Sequence, residues 1–234
     1  MSAPASGQVR CFFGFCRGCG VRLDVKKRGI SEERKTVREK RKLSDFRYLL
    51  YAFLLLLPIM FVLSFYSADT YSIIKNTTSH LGAQSTPNAW LMNAAFVIVG
   101  IACVLEAWLH LGRFWFHKIL LSIFGLSLAF TGIFHHAPII EDVIFNSLED
   151  RLHSIFATIV GFSFTIYAIS SAFIEKAVKH RIIDIAVGFT ATILSLLMIY
   201  LPDYSGIWQR AIFIITFIWL ILMLERIGAF NKTV

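Results

Sequence analysis

The sequence predicts an all-α integral membrane protein, a polytopic bundle of six antiparallel transmembrane helices with a small cap on its outer side. Residues 48–227 alternate long apolar runs with short polar connections. The chain is 56% hydrophobic, and its mean hydropathy is +0.66. A soluble domain of this length cannot bury so much apolar surface in one core. The distribution of basic residues supplies the third observation.

Six apolar runs are each close to the ~20 residues that a helix needs to cross a bilayer. They lie at roughly 48–66, 89–111, 119–137, 153–174, 183–201 and 208–227. If the N-terminus is cytoplasmic, 20 of the 23 Lys and Arg residues fall on the cytoplasmic side, and the outer connections hold only Lys75, Arg151 and Arg210. Cytoplasmic loops collect basic residues during insertion. The pattern therefore predicts that both termini are cytoplasmic.

Three segments follow from this topology. Residues 1–47 are predicted to be a basic cytoplasmic tail, largely disordered with a juxtamembrane helix, 48–227 the transmembrane domain and 228–234 a cytoplasmic C-terminal tail. The net charge of +8 lies mostly in the first tail, where it favours anionic lipid headgroups over nucleic acid as the partner. This tail also carries three cysteines, Cys11, Cys16 and Cys19. A closed structural metal site takes four ligands, so we interpret them as reduced cytoplasmic thiols.

Polar residues that could form a functional site gather on the predicted outer face. The first outer connection, 67–88, is long for a loop, and long ordered loops are often functional. In the second, Pro138 ends the third span, and the apolar spacing over 139–152 predicts an amphipathic helix on the outer surface. Four of the seven histidines map to this face: His80, His135, His136 and His153.

The main candidate site is an imidazole preceded by carboxylates. On a continuous helix Glu149 and Asp150 lie one turn before His153, so a carboxylate would orient that ring. If the fold brings His80 close, then His80, Asp150 and His153 could activate water as general bases or as ligands of a zinc ion. The alternative is that these histidines anchor the protein at the membrane interface by hydrogen bonds to headgroups or backbone.

The stretch from Ser79 to Gly100 reads S-H-L-G-A-x-x-x-P-N-A-W-L-M-N-A-A-F-V-I-V-G. It resembles the signature of a prokaryotic six-span membrane family known as domain of unknown function 998. In that family an S-x-L-G segment precedes the second span, and a histidine followed by small and aromatic residues opens the fourth, as in 153–157. The resemblance covers roughly 48–227 and singles out Ser79, Leu81, Gly82, Asn93, Gly100 and His153.

The resemblance implies a fold and a location in the prokaryotic plasma membrane, but no established activity. From it we take Ser79 and Asn93 as candidate ligand-binding residues. The favoured function is binding of a membrane lipid or another envelope component at the outer face, and the alternative is a metal-assisted hydrolase or transferase acting on a lipid-linked substrate. A transporter comes third, because Glu106 and Asp184 lie near the inner surface, whereas an ion pathway needs acids near the midplane.

Overall fold

The computed structural model describes residues 47–140 and 143–233, with side chains up to residue 227. The chain divides into two units, Met1–Asp45 and Phe46–Val234. The second is described here by itself. The predicted juxtamembrane helix, the three tail cysteines and the loop acids Glu141 and Asp142 lie outside the described residues.

The second unit is built of helices, and no strand occurs in the described residues. The long helices are α1 (Tyr48–Val62, continued by a 3₁₀ turn, Leu63–Tyr66), α3 (Ala89–His110), α4 (Trp115–Ile133), α5 (Ser147–Ser171), α6 (Val178–Tyr200) and α7 (Ser205–Thr233, preceded by a 3₁₀ turn, Pro202–Tyr204); α2 (Thr78–Leu81) is a single turn. All six long helices are long and apolar enough to cross a membrane. The predicted fold class is confirmed.

The helices differ from the predicted spans mainly at their starts. Helix α4 begins at Trp115 and α5 at Ser147, both earlier than the apolar runs, because helical hydrogen bonds continue through polar residues. The Asn146 side chain caps α5 by accepting hydrogen bonds from the Leu148 and Glu149 amides. The predicted amphipathic helix over 139–152 is therefore wrong in its first part, since 143–146 are not helical.

Consecutive long helices pack side by side, and α7 returns to contact α1 and α3, which closes the bundle. A close approach joins α3 to α4 at Gly100 and Gly125, where a Cβ added to Gly125 would lie 2.5 Å from the Gly100 carbonyl oxygen. Such small residues let transmembrane backbones come close together. Aromatic side chains fill the interior, with Phe53, Phe124 and Phe213 all in ring contact with Phe217.

We call the end of the bundle that carries the connections 67–88, 134–146 and 201–204 the histidine end. At the opposite end the two intramembrane acids are held by structural bonds. Glu106 pairs with His110 at 2.7 Å and accepts from the Leu49 amide. Asp184 accepts hydrogen bonds from Trp219 at 2.8 Å and Arg226 at 3.2 Å. These contacts tie neighbouring helices together.

Candidate functional site

Three histidines form a cluster at the histidine end. His136 lies between the other two, with its ring centroid 4.7 Å from that of His80 and 5.2 Å from that of His153. They come from α2, the α4–α5 connection and the first turns of α5. We call His80, His136 and His153 the histidine cluster. His80 and His153 are thus brought together, through the ring of His136.

Hydrogen bonds to Nδ1 assign the tautomer of each neutral ring. His80 Nδ1 accepts from the Thr77 amide at 3.1 Å in a capping box, so its Nε2 carries the proton. His153 Nδ1 lies 2.9 Å from the carbonyl oxygens of Thr131 and Phe134 and must donate to them, which leaves a lone pair on Nε2. His136 Nδ1 donates to the Ala137 carbonyl oxygen at 3.1 Å in the same way.

His80 is uncharged near neutral pH. Burial lowers the pKa of His80 to about 4, and the positive charges that His136 and His153 would carry lower it further, against a smaller opposing effect of Asp150. In their neutral forms the three rings offer one Nε2–H donor, from His80, and two Nε2 lone pairs, from His136 and His153.

The acids of α5 contact residues other than those predicted. Glu149 pairs with His135 at 2.7 Å. Asp150 accepts from the Ala137 amide at 2.8 Å and lies 3.7 Å from His136 Nδ1. We predicted that one of these carboxylates would orient the His153 ring. The ring is instead oriented by the backbone carbonyl oxygens of Thr131 and Phe134. Asp150 instead fixes the connection that carries His136.

Gln84 holds the 67–88 and 134–146 connections together. Its backbone N–H donates to the His136 carbonyl oxygen at 2.9 Å. Its side-chain amide accepts from the Asn146 N–H at 2.7 Å and donates to the Asn146 carbonyl oxygen at 2.9 Å. These bonds bring α2 against the α4–α5 connection. They explain why His80 and His136 meet although the sequence separates them widely.

A cavity of about 290 Å³ lies next to the cluster and is lined by residues of α2 to α7. Its wall is mainly apolar, with a few hydroxyl and amide groups; it is lined by Ser79, Phe96, Leu128, Thr131, Ala157, Thr158, Val160, Gly161, Ser195, Met198, Ile199, Gln209, Ile212 and Phe213. Ligand pockets in proteins have volumes of this order, starting at about 300 Å³. The cavity is thus large enough to admit part of a small molecule.

Covalent and hydrogen-bonded links join the cavity to the cluster. Ser79 lines the cavity and precedes His80. Thr131 also lines it, and its carbonyl oxygen accepts from His153. His153 shares one face of α5 with Ala157 and Gly161, which are one and two turns further along. The cavity therefore adjoins the cluster through Ser79 and Thr131, although none of the three histidines lines it.

The two candidate ligand-binding residues are placed differently. Ser79 lines the cavity, where Gln209 lies 3.5 Å from its hydroxyl and also accepts from the Thr78 amide at 2.6 Å. Asn93 does not line the cavity. It is buried and donates to the Gly82 carbonyl oxygen at 2.9 Å, which fixes the end of α2. Ligand binding by either residue stays a prediction.

The predicted zinc site also stays a prediction. Among the described residues, no group of three or more His, Cys, Asp or Glu side chains is arranged to hold a metal ion. His80 presents Nε2–H, whereas a metal ligand needs a lone pair. Ligation through His80 would require breaking its capping bond with Thr77.

The sequence analysis placed Arg210 in an outer connection and missed its structural role, since this residue is buried, with 4% of its surface exposed. The hydrogen-bond acceptors of its guanidinium are neutral oxygens: the carbonyls of Met60, Ile73, Asn76 and Gly206 and the hydroxyls of Ser64 and Tyr71. Burial raises the pKa of Tyr71, although Arg210 acts against this, so the phenol stays protonated. An arginine inside an apolar span was the signal that could have identified this residue.

Comparison with known proteins supplies one match. A family model described as "Protein of unknown function (DUF998)" matches residues 51–224. No curated protein and no solved structure matches the chain. The matched region covers all six apolar helices, and this multi-pass integral membrane protein therefore belongs to the DUF998 family.

Proposed function

We propose that this protein binds a membrane lipid at the histidine end, with an acyl or similar apolar chain in the cavity and the polar head at the histidine cluster. The observation that carries the proposal is that the two adjoin. An apolar cavity inside a transmembrane bundle lies next to three clustered imidazoles, of which His153 is buried and the other two are half-buried. A lipid has both parts in the same order.

The path into the cavity supports a ligand that arrives from the bilayer. Helices α5 and α6 touch where Thr165 and Thr192 lie 3.2 Å apart. Toward the histidine end Ala157 and Gly161 of α5 are exposed, and no atom lies within 4 Å of a Cβ added at Gly161. The space between the helices therefore opens sideways, where lipid chains surround the protein.

We also propose that the histidine end faces outward and that both termini are cytoplasmic in the plasma membrane of a prokaryotic cell. The charge asymmetry supports the orientation, since 20 of 23 basic residues then lie inside. The basic N-terminal tail would attract anionic lipid headgroups. A cysteine placed at Phe145 should react with impermeant reagents added outside intact cells; reaction only from the cytoplasmic side would reverse the orientation.

Filling the cavity is expected to displace the lipid without harming the fold. The Gly161→Leu variant places a branched side chain in open space that the cavity now occupies. Native mass spectrometry of the detergent-purified proteins should show lipid bound to the wild type and about tenfold less on the variant. The melting temperature should be unchanged or higher, because the new side chain gains contacts.

Gly112 supplies the matched control. It lies in the α3–α4 connection at the opposite end, and a Cβ added there also meets nothing within 4 Å. The Gly112→Leu variant should retain lipid like the wild type. If Gly161→Leu retains as much lipid as Gly112→Leu, the cavity is not the binding site.

A further inference from the structure

The hydrogen-bonding pattern of the site points to the class of head group. We infer that the protein selects lipids whose head is uncharged and bears hydroxyl groups, and that it discriminates against lipids carrying a phosphate. This inference rests on the proposed function. It adds the chemistry of the ligand to the location of the site.

The first argument is the count of donors and acceptors. The Nε2 atoms of His80, His136 and His153 have no hydrogen-bond partner among residues 47–140 and 143–227. One is an N–H donor and two are lone pairs, as their Nδ1 contacts dictate. A hydroxyl group both donates and accepts, so a head with two or more hydroxyls can satisfy this mixed set. Ionised phosphate oxygens only accept, and they would face two lone pairs.

The second argument is charge. Asp150 lies 3.7 Å from His136, and Glu149 is bound to His135 beside it. No lysine or arginine in the described part of the chain hydrogen-bonds or pairs with the histidine cluster. Arg210 follows the cavity residue Gln209 and is buried, but its donors are directed at neutral oxygens of Ile73, Gly206 and Tyr71. A phosphate here would be desolvated next to a carboxylate without a counter-charge, which is costly.

The third argument is the orientation of the His80 ring. A cationic imidazole would attract the anion, but protonation of His80 Nδ1 would break the hydrogen bond that this atom accepts from the Thr77 amide. The site is thus preorganised for a neutral polar head.

The test compares two probes that share one chain. Full-length protein in phosphatidylcholine nanodiscs is titrated with monooleoylglycerol and with monooleoyl lysophosphatidate. The wild type should bind the glycerol probe about tenfold more tightly or better. Asp150→Asn keeps an oxygen that can accept from the Ala137 amide but removes the negative charge. It should shift the ratio of the two affinities several-fold toward the phosphate probe.

The outcomes separate the two claims. If both probes bind and Gly161→Leu displaces both, but the phosphate probe binds as tightly as the glycerol probe, the head-group inference is wrong and the proposed lipid site stands. An Asp150→Asn variant with unaltered discrimination overturns the charge argument. If neither probe binds, or if Gly161→Leu affects neither, the proposed function itself fails.

Discussion

Replacing Arg210 by methionine is expected to lower the free energy of unfolding of the detergent-solubilised protein by roughly 3 kcal/mol or more. In a protein of this size that corresponds to a fall of about 6–12 °C in the melting temperature. Methionine matches the apolar stem of arginine but supplies no donor. The four carbonyl oxygens that Arg210 binds would lose this partner while they remain enclosed by protein.

The effect should be concentrated where those carbonyls lie. Arg210 connects the end of α1, through Met60, to the loop that carries Ile73 and Asn76. Gly206, one turn earlier on α7, also donates its amide to Ile74 at 2.9 Å. Hydrogen exchange of the amides from 71 to 77 should therefore accelerate in the methionine variant, while exchange in α4 changes little.

Arg210→Lys is the matched control for charge. Lysine retains the positive charge but offers three donors on one atom, whereas arginine offers five in a planar fork. A lysine therefore cannot bind the Met60 carbonyl of α1 and the loop carbonyls of Ile73 and Asn76 at the same time. We expect a stability between those of the wild type and Arg210→Met. Wild-type stability in the methionine variant would show that these carbonyl oxygens do not depend on the guanidinium.

Replacing Gly125 by leucine is the second change with a large expected effect. A Cβ at this position would lie 2.5 Å from the Gly100 carbonyl oxygen and 2.9 Å from Cys103 Cβ, so α3 and α4 must separate. Overpacking a rigid interface commonly costs 1–3 kcal/mol, and here the obstacle is backbone that cannot rotate away. We expect a loss of about 3 kcal/mol or more, or failure to accumulate in the membrane.

Thermal unfolding monitored by circular dichroism measures this effect. Gly112→Leu again serves as the control, since it adds the same side chain where no atom lies within 4 Å. It should melt within about 2 °C of the wild type, as substitutions at open positions usually do. Equal melting of Gly125→Leu and Gly112→Leu would contradict the close α3–α4 contact.

The fold could be predicted from the sequence because a bilayer fixes the length and the apolar character of each segment that crosses it. A run of about 20 apolar residues has few alternatives to a spanning helix. The errors lay at the helix starts, because local capping determines the residue at which a helix begins. Asn146 begins α5 ahead of the apolar run because its side chain accepts from two amides, and hydropathy does not register such bonds.

The site was only partly predictable. His80, His153 and Ser79 were singled out, and they lie at the cluster or the cavity. The central position of His136 depends on the bonds between Gln84 and the α4–α5 connection, which join residues far apart in sequence. The cavity itself arises from the separation of α5 and α6, a feature of packing that residue spacing does not encode.

The measurement that bears most directly on the central claim is the position of a bound lipid chain. A lipid with a diazirine in the middle of its acyl chain is cross-linked to the purified protein, and the modified residues are identified by mass spectrometry. A chain in the cavity should label the inward-facing residues Met198 and Ile212. Labelling restricted to the outward-facing Phe162 and Phe189, which are 68% and 57% exposed, would contradict binding in the cavity.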